Sequence, residues 1–395
     1  MLLEVRGTCA INKGDELMLR AISQHYAHQP DVSLCAEHIT GPYQLRAPLG
    51  FYQKVRRTEV PVIDLAARAF LLPWSGEKYG LVSSRDVHAV LDSSGFAYGD
   101  QWGHYRARKT ANLVRYWKRS GRKLIMLPQA LGPFTNSELR RLFTEVASYA
   151  SLVFARDSVS YQHLLSFDLD PERVLQAPDF TNLLEGVVPE GFDVDPTRVA
   201  VIPNKRMLDK TDPKVAAAYE PFLLECLRYI HQVGLRPSIV LHELRDIGLA
   251  TGLADSLPFE VELIQHGNAL ALKGILGTCR AVVSSRFHGA VSALSQGVPC
   301  ILTGWSHKYA MLAEEYGCPD LLIDDPSHLD EVRSKIEDIC CNAARDGIVD
   351  VLTQTSETLR QATCRMWDLV DAELRVAAPD LGSVRTSAAG FHTAA

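Results

Sequence analysis

The chain has 395 residues, and its balance of 47% hydrophobic to 22% charged residues excludes wholesale disorder. With 41 Lys and Arg against 47 Asp and Glu, the formal net charge is −6, which argues against a dedicated nucleic-acid binder because such a protein needs a clustered cationic surface. No apolar run approaches the ~20 residues of a membrane span, and at ~150 residues per domain the length predicts about two domains.

The first residues, MLLEVRG, are typical of a strand and lack the basic flank and long apolar core of a signal peptide. The nine cysteines are dispersed without a CxxC motif, a pattern that indicates neither a disulfide framework nor a zinc site. We therefore expect a cytoplasmic protein with reduced thiols.

In the first half of the chain, short apolar segments alternate with amphipathic ones, which is the pattern of strands and helices. The predicted strands are 2–6, 32–36, 87–91, 123–127, 152–155 and 174–176. The predicted helices are 12–26, 105–119, 137–149 and 158–167. Residues 41–81 are hard to assign, although 63–72 favour a helix.

A segment rich in Gly, Pro and acidic residues, 186–196, is a predicted linker, and the same alternation restarts after it. The predicted strands are 198–202, 238–241, 261–264, 281–284, 300–302 and 321–323. The predicted helices are 213–233, 246–254, 269–279, 288–296, 308–316, 329–344 and 351–376.

Strands that alternate with helices predict parallel sheets covered by helices on both faces, an α/β protein. The linker divides the pattern into two doubly wound, Rossmann-like domains, 1–190 and 191–376, followed by a flexible tail at 377–395. Two such domains are expected to face each other across a cleft. Ligands of open α/β sheets bind at the carboxyl ends of the strands, so the polar residues that follow strands are the candidates for chemistry.

The strongest candidate is SSRFHGA at 284–290, directly after a predicted strand. Arg286 and His288 are two residues apart, so an extended backbone places them on one face. Ser285 and the free N–H groups of the following helix complete a cradle for an anion, and Gly289 lets a ligand approach the first turn. Alternatively, Arg286 forms a buried salt bridge and His288 caps the helix, and spacing alone leaves both interpretations open.

The next strand end carries WSHKY at 305–309. Lys308 there is placed to converge with the arginine and histidine of the preceding strand end, and a lysine at a helix N-terminus opposes the helix dipole. Trp305 stands beside a glycine in a loop and offers a ring for stacking on a sugar. The alternatives are a solvated lysine and a packed tryptophan.

The loop after the first strand reads NKGDE at 12–16. Asn12, Lys13 and Asp15 are candidates for ligand binding, although helix capping alone accounts for Asn12 or Asp15. The loop lacks GxGxxG and the Walker lysine pattern, so dinucleotide and P-loop nucleotide binding lose their main support.

Other strand ends add weaker candidates. They are Gln129, Gly132, Arg156, Asp179 and His266, of which the histidine is at least as well explained as a structural residue. The sequence has no GxSxG, no HExxH and no DxD-like pair after a strand, so it gives no metal ligands.

In these motifs the chain resembles the polysaccharide pyruvyl transferase family. The similar segments are 7–16 with NKGDE, LPQALGPF at 127–134, ARDSVS at 155–160, APD at 177–179, and SSRFHGA at 284–290 followed by AL at 293–294, GVP at 297–299 and Lys308. The resemblance covers roughly residues 1–320 and rests on the order and spacing of modest motifs.

The resemblance implies a GT-B-like fold and a phosphoenolpyruvate-dependent pyruvyltransferase that forms a cyclic ketal on two hydroxyls of a sugar and releases phosphate. It implies no metal and no cofactor, phosphoenolpyruvate being the donor substrate. The acceptor is a saccharide, lipid- or nucleotide-linked, in cell-envelope polysaccharide biosynthesis, with peripheral membrane contact as an open question.

By the same resemblance, domain 191–376 binds the donor through Arg286, His288 and Lys308, with Arg156 contributing from domain 1–190, which takes the acceptor. His288 is the expected general acid or base, and the three cations stabilise the departing phosphate. Two alternatives stay open: a nucleotide-sugar glycosyltransferase of the same architecture, and a sugar- or phosphate-binding protein without catalysis.

Overall fold

The computed structural model describes residues 1–55, 78–340 and 342–376, which form two α/β domains. In the first domain eight parallel strands follow the order β4-β3-β2-β1-β5-β6-β7-β8. These strands are β1 Leu2–Arg6, β2 Ser33–Ala36, β3 Phe51–Lys54, β4 Leu81–Val82, β5 Ala89–Asp92, β6 Lys123–Gln129, β7 Leu152–Ala155 and β8 Val174–Gln176. Most of their side chains are buried on both faces, as a sheet covered by helices requires.

The second domain contains five parallel strands in the order β11-β10-β9-β12-β13. They are β9 Arg198–Ile202, β10 Arg236–Leu241, β11 Glu262–Gln265, β12 Ala281–Ser284 and β13 Cys300–Leu302. In both sheets the strand order reverses once, between β1 and β5 and between β9 and β12. In open α/β sheets such a reversal opens a crevice at the carboxyl ends of the strands.

Helices cover both sheets. In the first domain they are α1 Lys13–Tyr26, α2 Tyr43–Arg46, α3 Tyr105–Arg119, α4 Ser137–Tyr149 and α5 Ser158–Leu165. In the second they are α6 Arg206–Asp209, α7 Pro213–Gln232, α8 Ile247–Asp255, α9 Ala269–Thr278, α10 Phe287–Leu294, α11 Lys308–Glu315, α12 Leu329–Cys340 and α13 Asn342–Val376. None of the helices in the described parts of the chain is both long and apolar enough to cross a bilayer.

Helix α13 links the two domains. Near its start Leu352 packs in the core of the second domain, whereas Met366, Trp367 and Val370 pack in the core of the first. Helix α1 also crosses the boundary, since a carboxylate oxygen of Glu16 accepts the first N–H of α9 at 3.1 Å. The cleft is therefore held by contacts at two separate places.

Three sequence predictions fail locally. The predicted strand 321–323 is wrong, because Pro319–Leu321 forms a 3-10 turn and a lone bridge joins Leu322 to Leu302. Strand β6 does not stop before its proline but runs to Gln129 through a register irregularity. Helix α13 begins nine residues earlier than predicted. The predicted helix 63–72 and tail 377–395 lie outside the described residues.

Candidate active site between the two domains

A cavity of about 390 Å³ lies between the domains, at the carboxyl ends of the strands. Of the residues predicted from the sequence, Asn12, Asp15 and Arg156 line it from the first domain, and Arg286, His288, Trp305 and Lys308 line it from the second. Side chains from separate crossover units therefore meet in one enclosed space. All four residues predicted to act in catalysis are among them.

The loop after β12 is fixed by hydrogen bonds on both sides. The carbonyl of Ser285 accepts from the amide of Asn204 at 2.7 Å and from the hydroxyl of Tyr309 at 2.8 Å. The hydroxyl of Ser284 accepts the N–H of Arg286 at 3.2 Å, so the chain stays extended up to the start of α10. This geometry aims the arginine into the cleft.

Arg286 forms salt bridges with two carboxylates. Its Nη1 lies 2.8 Å from Glu243 Oε2 and its Nε lies 2.8 Å from Asp246 Oδ2. Burial raises the pKa of Asp246, and the guanidinium opposes that rise. The salt bridge that the sequence left as an alternative is present, yet the arginine also faces the cavity, so the two interpretations are compatible.

His288 and Arg156 share one buried carboxylate, that of Asp179. Its Oδ2 lies 3.4 Å from Nε2 of His288 and 3.0 Å from Nη1 of Arg156. Burial alone would raise the pKa of Asp179, but the imidazole and the guanidinium hold it well below its usual range. The carboxylate therefore holds Arg156 by a hydrogen bond and lies in ionic contact with His288, without itself lining the cavity.

The other side of the imidazole faces the first turn of α1. A Cβ placed on Gly14 would lie 2.4 Å from Nδ1 of His288, closer than any packing tolerates. Only glycine at this position leaves room for the ring in its present place.

Lys308 lies among four aromatic rings. Its ammonium nitrogen is 4.9–5.4 Å from the centroids of Phe96, Phe287, Trp305 and Tyr309, which is cation–π distance. Trp305 also stacks on Phe96 at 6.0 Å, and the two rings line the cavity from different domains.

The buried environment favours the neutral form of Lys308. Burial lowers the pKa of the ammonium to about 7. Arg156 and Arg286 add to this effect by repulsion, and Asp15 opposes it by attraction. An anion that enters the cavity would restore the charge, because it would offset both effects.

Asp15 lines the opposite wall. Burial raises the pKa of its carboxyl to about 7, although the N–H of Cys9 donates to it at 2.8 Å. Asn12 caps α1 by accepting the N–H of Gly14 at 2.9 Å, and it donates across the cleft to Glu243 at 3.1 Å. Asn12 is thus both a helix cap and a link between the domains.

Several predicted site residues do not line this cavity. Lys13 pairs with Glu16 at 2.7 Å and donates to the carbonyl of Gly267. His266 accepts the N–H of Asn268 at 3.0 Å within its own loop. These contacts belong to the domain boundary and to helix capping.

The remaining predicted residues are packed. Gln129 is fully buried beside the Leu127 carbonyl. Ser285 accepts the Tyr219 hydroxyl at 2.7 Å. A Cβ on Gly289 would lie 2.8 Å from Ile202, and one on Gly132 would meet the ring of His163, so these glycines serve close packing.

Sequence reasoning gave no role to several residues that line the cavity. His242 directly follows β10, and burial with the nearby cations lowers the pKa of its ring to about 3, so it stays neutral. Arg106 projects from α3, and its sequence context carries no strand-end signal that could have found it. Within the described residues no three His, Cys, Asp or Glu side chains are grouped for a metal ion.

A comparison with protein families matches residues 12–307 to the family described as polysaccharide pyruvyl transferase. The matched span includes every residue named above as lining the cavity except Lys308, which follows it by one position, and Tyr309.

Solved structures share the architecture at low identity. A protein assigned as a UDP-N-acetylglucosamine 2-epimerase from Listeria monocytogenes aligns with TM-score 0.60 and 12% identity over 95% of this chain and 96% of that one. HepE of Anabaena, solved with UDP and glucose, gives 0.57 and 11% over 95% and 99%. A glycosyltransferase from Rickettsia africae gives 0.58 and 11% over 95% and 98%. The predicted GT-B-like fold is confirmed.

Proposed function

The chain belongs to the polysaccharide pyruvyl transferase family, and from this premise we propose that it moves the pyruvyl group of phosphoenolpyruvate onto two hydroxyls of a saccharide, forming a cyclic ketal and releasing phosphate. The observation that carries the proposal is the meeting of Arg156, Arg286 and Lys308 with His288 in one cavity between the domains.

The cations suit a small dianionic or trianionic donor. Phosphoenolpyruvate carries a carboxylate and a phosphate, and a guanidinium fork matches either group, whereas an ammonium acts as a point charge. Arg286 is held in place by Glu243 and Asp246, and Arg156 by Asp179, so neither has to be ordered when the donor binds. Lys308 supplies a charge that strengthens as the anion enters.

The proposed reaction balances without a co-reactant. A proton added to the methylene carbon of the enol makes the neighbouring carbon an oxocarbenium-like electrophile. One sugar hydroxyl forms a C–O bond to that carbon and loses its proton. The bond from that carbon to the phosphate oxygen then breaks, and a second hydroxyl closes the ketal. Of the two protons lost by the hydroxyls, one balances the new methyl group and the other leaves with phosphate.

His288 is the proposed proton donor to the enol carbon. The Asp179 carboxylate lies 3.4 Å from Nε2 and Gly14 packs closely against Nδ1, so the imidazole has neighbours on both sides. A positioned general acid contributes about 10²- to 10⁴-fold in rate.

Asp15 is the proposed base for an acceptor hydroxyl. It belongs to the domain that the proposal assigns to the acceptor, and its pKa of about 7 suits proton exchange near neutral pH. The donor would lie against the second domain and the saccharide against the first.

A nucleotide-sugar glycosyltransferase would need a carboxylate of the second domain free to bind a ribose. Glu243 and Asp246 are the carboxylates near the cavity there, and both are engaged by Arg286. This engagement favours the pyruvyl transferase. A protein that only binds sugar or phosphate would release no phosphate from phosphoenolpyruvate with any acceptor, so a turnover assay separates this alternative.

The direct test is incubation with phosphoenolpyruvate and a panel of p-nitrophenyl, nucleotide-linked and lipid-linked sugars. Phosphate release and the mass of an added pyruvyl ketal are measured. Release that depends on the acceptor, with the ketal product, supports the proposal. Transfer of a sugar from a UDP-sugar, with no reaction of phosphoenolpyruvate, would overturn it.

A further inference from the structure

The side-chain nitrogen of Lys308 differs from those of other buried lysines in having no polar partner. Lys54 pairs with Glu4 at 2.5 Å. Lys273 donates to the carbonyl of Thr181 at 3.0 Å. Among the residues that the structure describes, Lys308 makes no hydrogen bond and no ion pair, and its nitrogen lies over aromatic rings instead. Its amine is therefore left for a bound molecule, whereas the other two amines are already engaged.

The same nitrogen can be reached from the cleft. Lys308 lines the candidate active site and also a neighbouring cavity of about 260 Å³, and Arg156 and Phe287 line both spaces with it. Its nitrogen is not among the unpartnered atoms that the fold closes off from solvent, whereas the hydroxyl oxygen of nearby Ser306 is. A small molecule in the cleft can therefore approach the amine to bonding distance.

The surroundings favour a nucleophilic amine. Burial lowers the pKa of Lys308 to about 7, and repulsion from Arg156 and Arg286 adds to this effect. Asp15 and Asp179 oppose it, so the neutral and charged forms are both populated near neutral pH. A lysine that is desolvated beside other cations is an activated nucleophile, because more of it carries a free electron pair.

The surroundings also select the electrophile, which for an amine is an aldehyde or a ketone. Arg156 and Arg286 line the cavity and are held in place by carboxylates, so they favour an electrophile that carries a carboxylate. The rings of Phe287 and Trp305 lie beside the amine and favour a short apolar substituent. A small 2-oxo acid combines these features, since a carboxylate, a ketone and a methyl group are adjacent in a molecule such as pyruvate.

We propose that Lys308 forms a reversible imine with small 2-oxo acids such as pyruvate, and that this imine closes the candidate active site to its donor. The amine nitrogen attacks the ketone carbon, and the ketone oxygen leaves as water with the two protons of the amine. A C=N bond thus replaces the C=O bond without a co-reactant. The imine is a reactivity beyond the proposed transfer, and only its effect on the donor rests on the proposed function.

The test traps the imine. The protein is incubated at mildly alkaline pH with pyruvate and sodium cyanoborohydride, which adds hydride to the imine carbon and leaves a stable 1-carboxyethyl group. Peptide mass spectrometry measures the label on each lysine. We expect Lys308 to be labelled about tenfold faster than exposed Lys118. Phosphoenolpyruvate has no ketone, so it is expected to slow labelling of Lys308 alone. Equal rates at the two lysines, or no label on Lys308, would overturn the inference.

Lys273 is the matched control within the same molecule. Burial lowers its pKa to about 7 as well, but its amine is hydrogen-bonded and does not line the cavity. We expect it to stay unlabelled. Equal labelling of Lys273 and Lys308 would contradict the inference, because a lowered pKa alone would then suffice.

Acetone in place of pyruvate tests the recognition of the carboxylate. The ratio of label on Lys308 to label on Lys118 cancels the different reactivities of the two ketones. This ratio is expected to be about tenfold lower with acetone, which has no group for the arginines to bind. An unchanged ratio would rule out selection of 2-oxo acids.

Failure of the proposed function is distinguishable, because trapping needs neither donor nor acceptor. If the transfer does occur, pyruvate with cyanoborohydride is expected to abolish phosphate release by the parent protein. Lys308→Arg keeps the charge but cannot form the imine, so it should keep the rate it shows before treatment. Equal inactivation of both proteins would contradict the assignment to Lys308, and trapping that leaves phosphate release intact would contradict closure of the site.

Discussion

The two walls of the cleft carry similar charges but hold them differently. In the second domain Arg286 lies between Glu243 and Asp246, whose positions the fold fixes. In the first domain Arg106 and Lys109 face the space without partners among the described residues. The surroundings of Arg286 are therefore built before any ligand arrives, whereas Arg106 and Lys109 have no such support. Arg156, which Asp179 holds, is the fixed cation of the first domain.

This difference fits the two proposed substrates. A small donor of fixed structure is bound best by rigid cations, because preorganised groups need no reordering during the reaction. An acceptor that extends away from the reacting hydroxyls is better met by mobile side chains.

Removing the charge of Arg286, which two carboxylates hold in place, should lower kcat/KM more than any other change. In Arg286→Gln two carboxylates lose their partner and the donor site loses a positive charge, so kcat/KM for phosphoenolpyruvate is expected to fall by about 10³-fold or more. Arg286→Lys, which keeps the charge, should lose about 10²-fold. Steady-state phosphate release measures both, with thermal melting to check folding.

Arg236→Gln is the matched control, because Arg236 lies at the far end of the same sheet, at the start of β10. A comparable loss of kcat/KM in this variant would mean that the effect comes from general stability.

Replacing the proposed acid should separate turnover from binding. For His288→Asn we expect kcat to fall by about 10²- to 10³-fold while the Kd for phosphoenolpyruvate changes far less. Titration calorimetry and single-turnover phosphate release measure the two quantities. If Kd rises as much as kcat falls, the histidine serves binding and the assigned role is wrong.

A methyl group at Gly14 should displace the imidazole from the other side. Gly14→Ala places a Cβ 2.4 Å from Nδ1 of His288, so we expect a loss of about 10- to 100-fold in kcat. Gly248→Ala is the control, because Gly248 is also the second residue of a helix but has open space at its Cβ. Unchanged kcat in Gly14→Ala would show that the position of the ring is not needed.

The pH dependence of kcat/KM should reflect one group from each domain, Lys308 of the second and Asp15 of the first. Lys308, with a pKa of about 7, must be charged to bind the anion and loses its charge as pH rises through 7. Asp15, also near 7, must be ionised to accept a proton and is neutralised as pH falls through 7. We expect a bell-shaped kcat/KM with its maximum near pH 7 and apparent pKa values that belong to the coupled pair. Lys308→Arg, which keeps its charge above pH 7, should move the alkaline limb to higher pH.

The smallest effect concerns stability. The folded-state pKa of Asp15 lies above its ordinary value of 3.8, so the stability contributed by its neutral form is lost as pH rises towards and through 7. Asp15→Asn stays neutral, and its Tm is expected to exceed that of the parent protein more at pH 8 than at pH 5. Equal differences at the two pH values would contradict the proposed environment of this carboxyl.

The alternation of strands and helices could be predicted because both faces of a parallel sheet are buried. Segments such as Arg198–Ile202 therefore read as continuous apolar runs. The same signal misled at 321–323, where Leu321 still belongs to the turn that begins at Pro319 and only Leu322 pairs with the edge strand β13. Local composition does not report how many residues of an apolar triplet a turn takes up.

The site was predictable where a side chain directly follows a strand at the reversal of strand order, as His288 does. It was not predictable where the outcome depends on the order of strands. Arg286 follows β12 and Glu243 follows β10, and β9 lies between them, so their pairing is invisible in the sequence. Gln129 also ends a strand, but its side chain is buried inside the first domain.

The long helix α13 has a mechanical consequence. Its 35 residues span roughly 50 Å, and it is anchored near one end by Leu352 and towards the other by Trp367. A helix that packs in the cores of both domains limits how far the two domains can move apart. A wider opening of the cleft would have to bend α13 or remove Trp367 from the core of the first domain. The free-energy cost of opening is therefore set by contacts far from the reacting atoms.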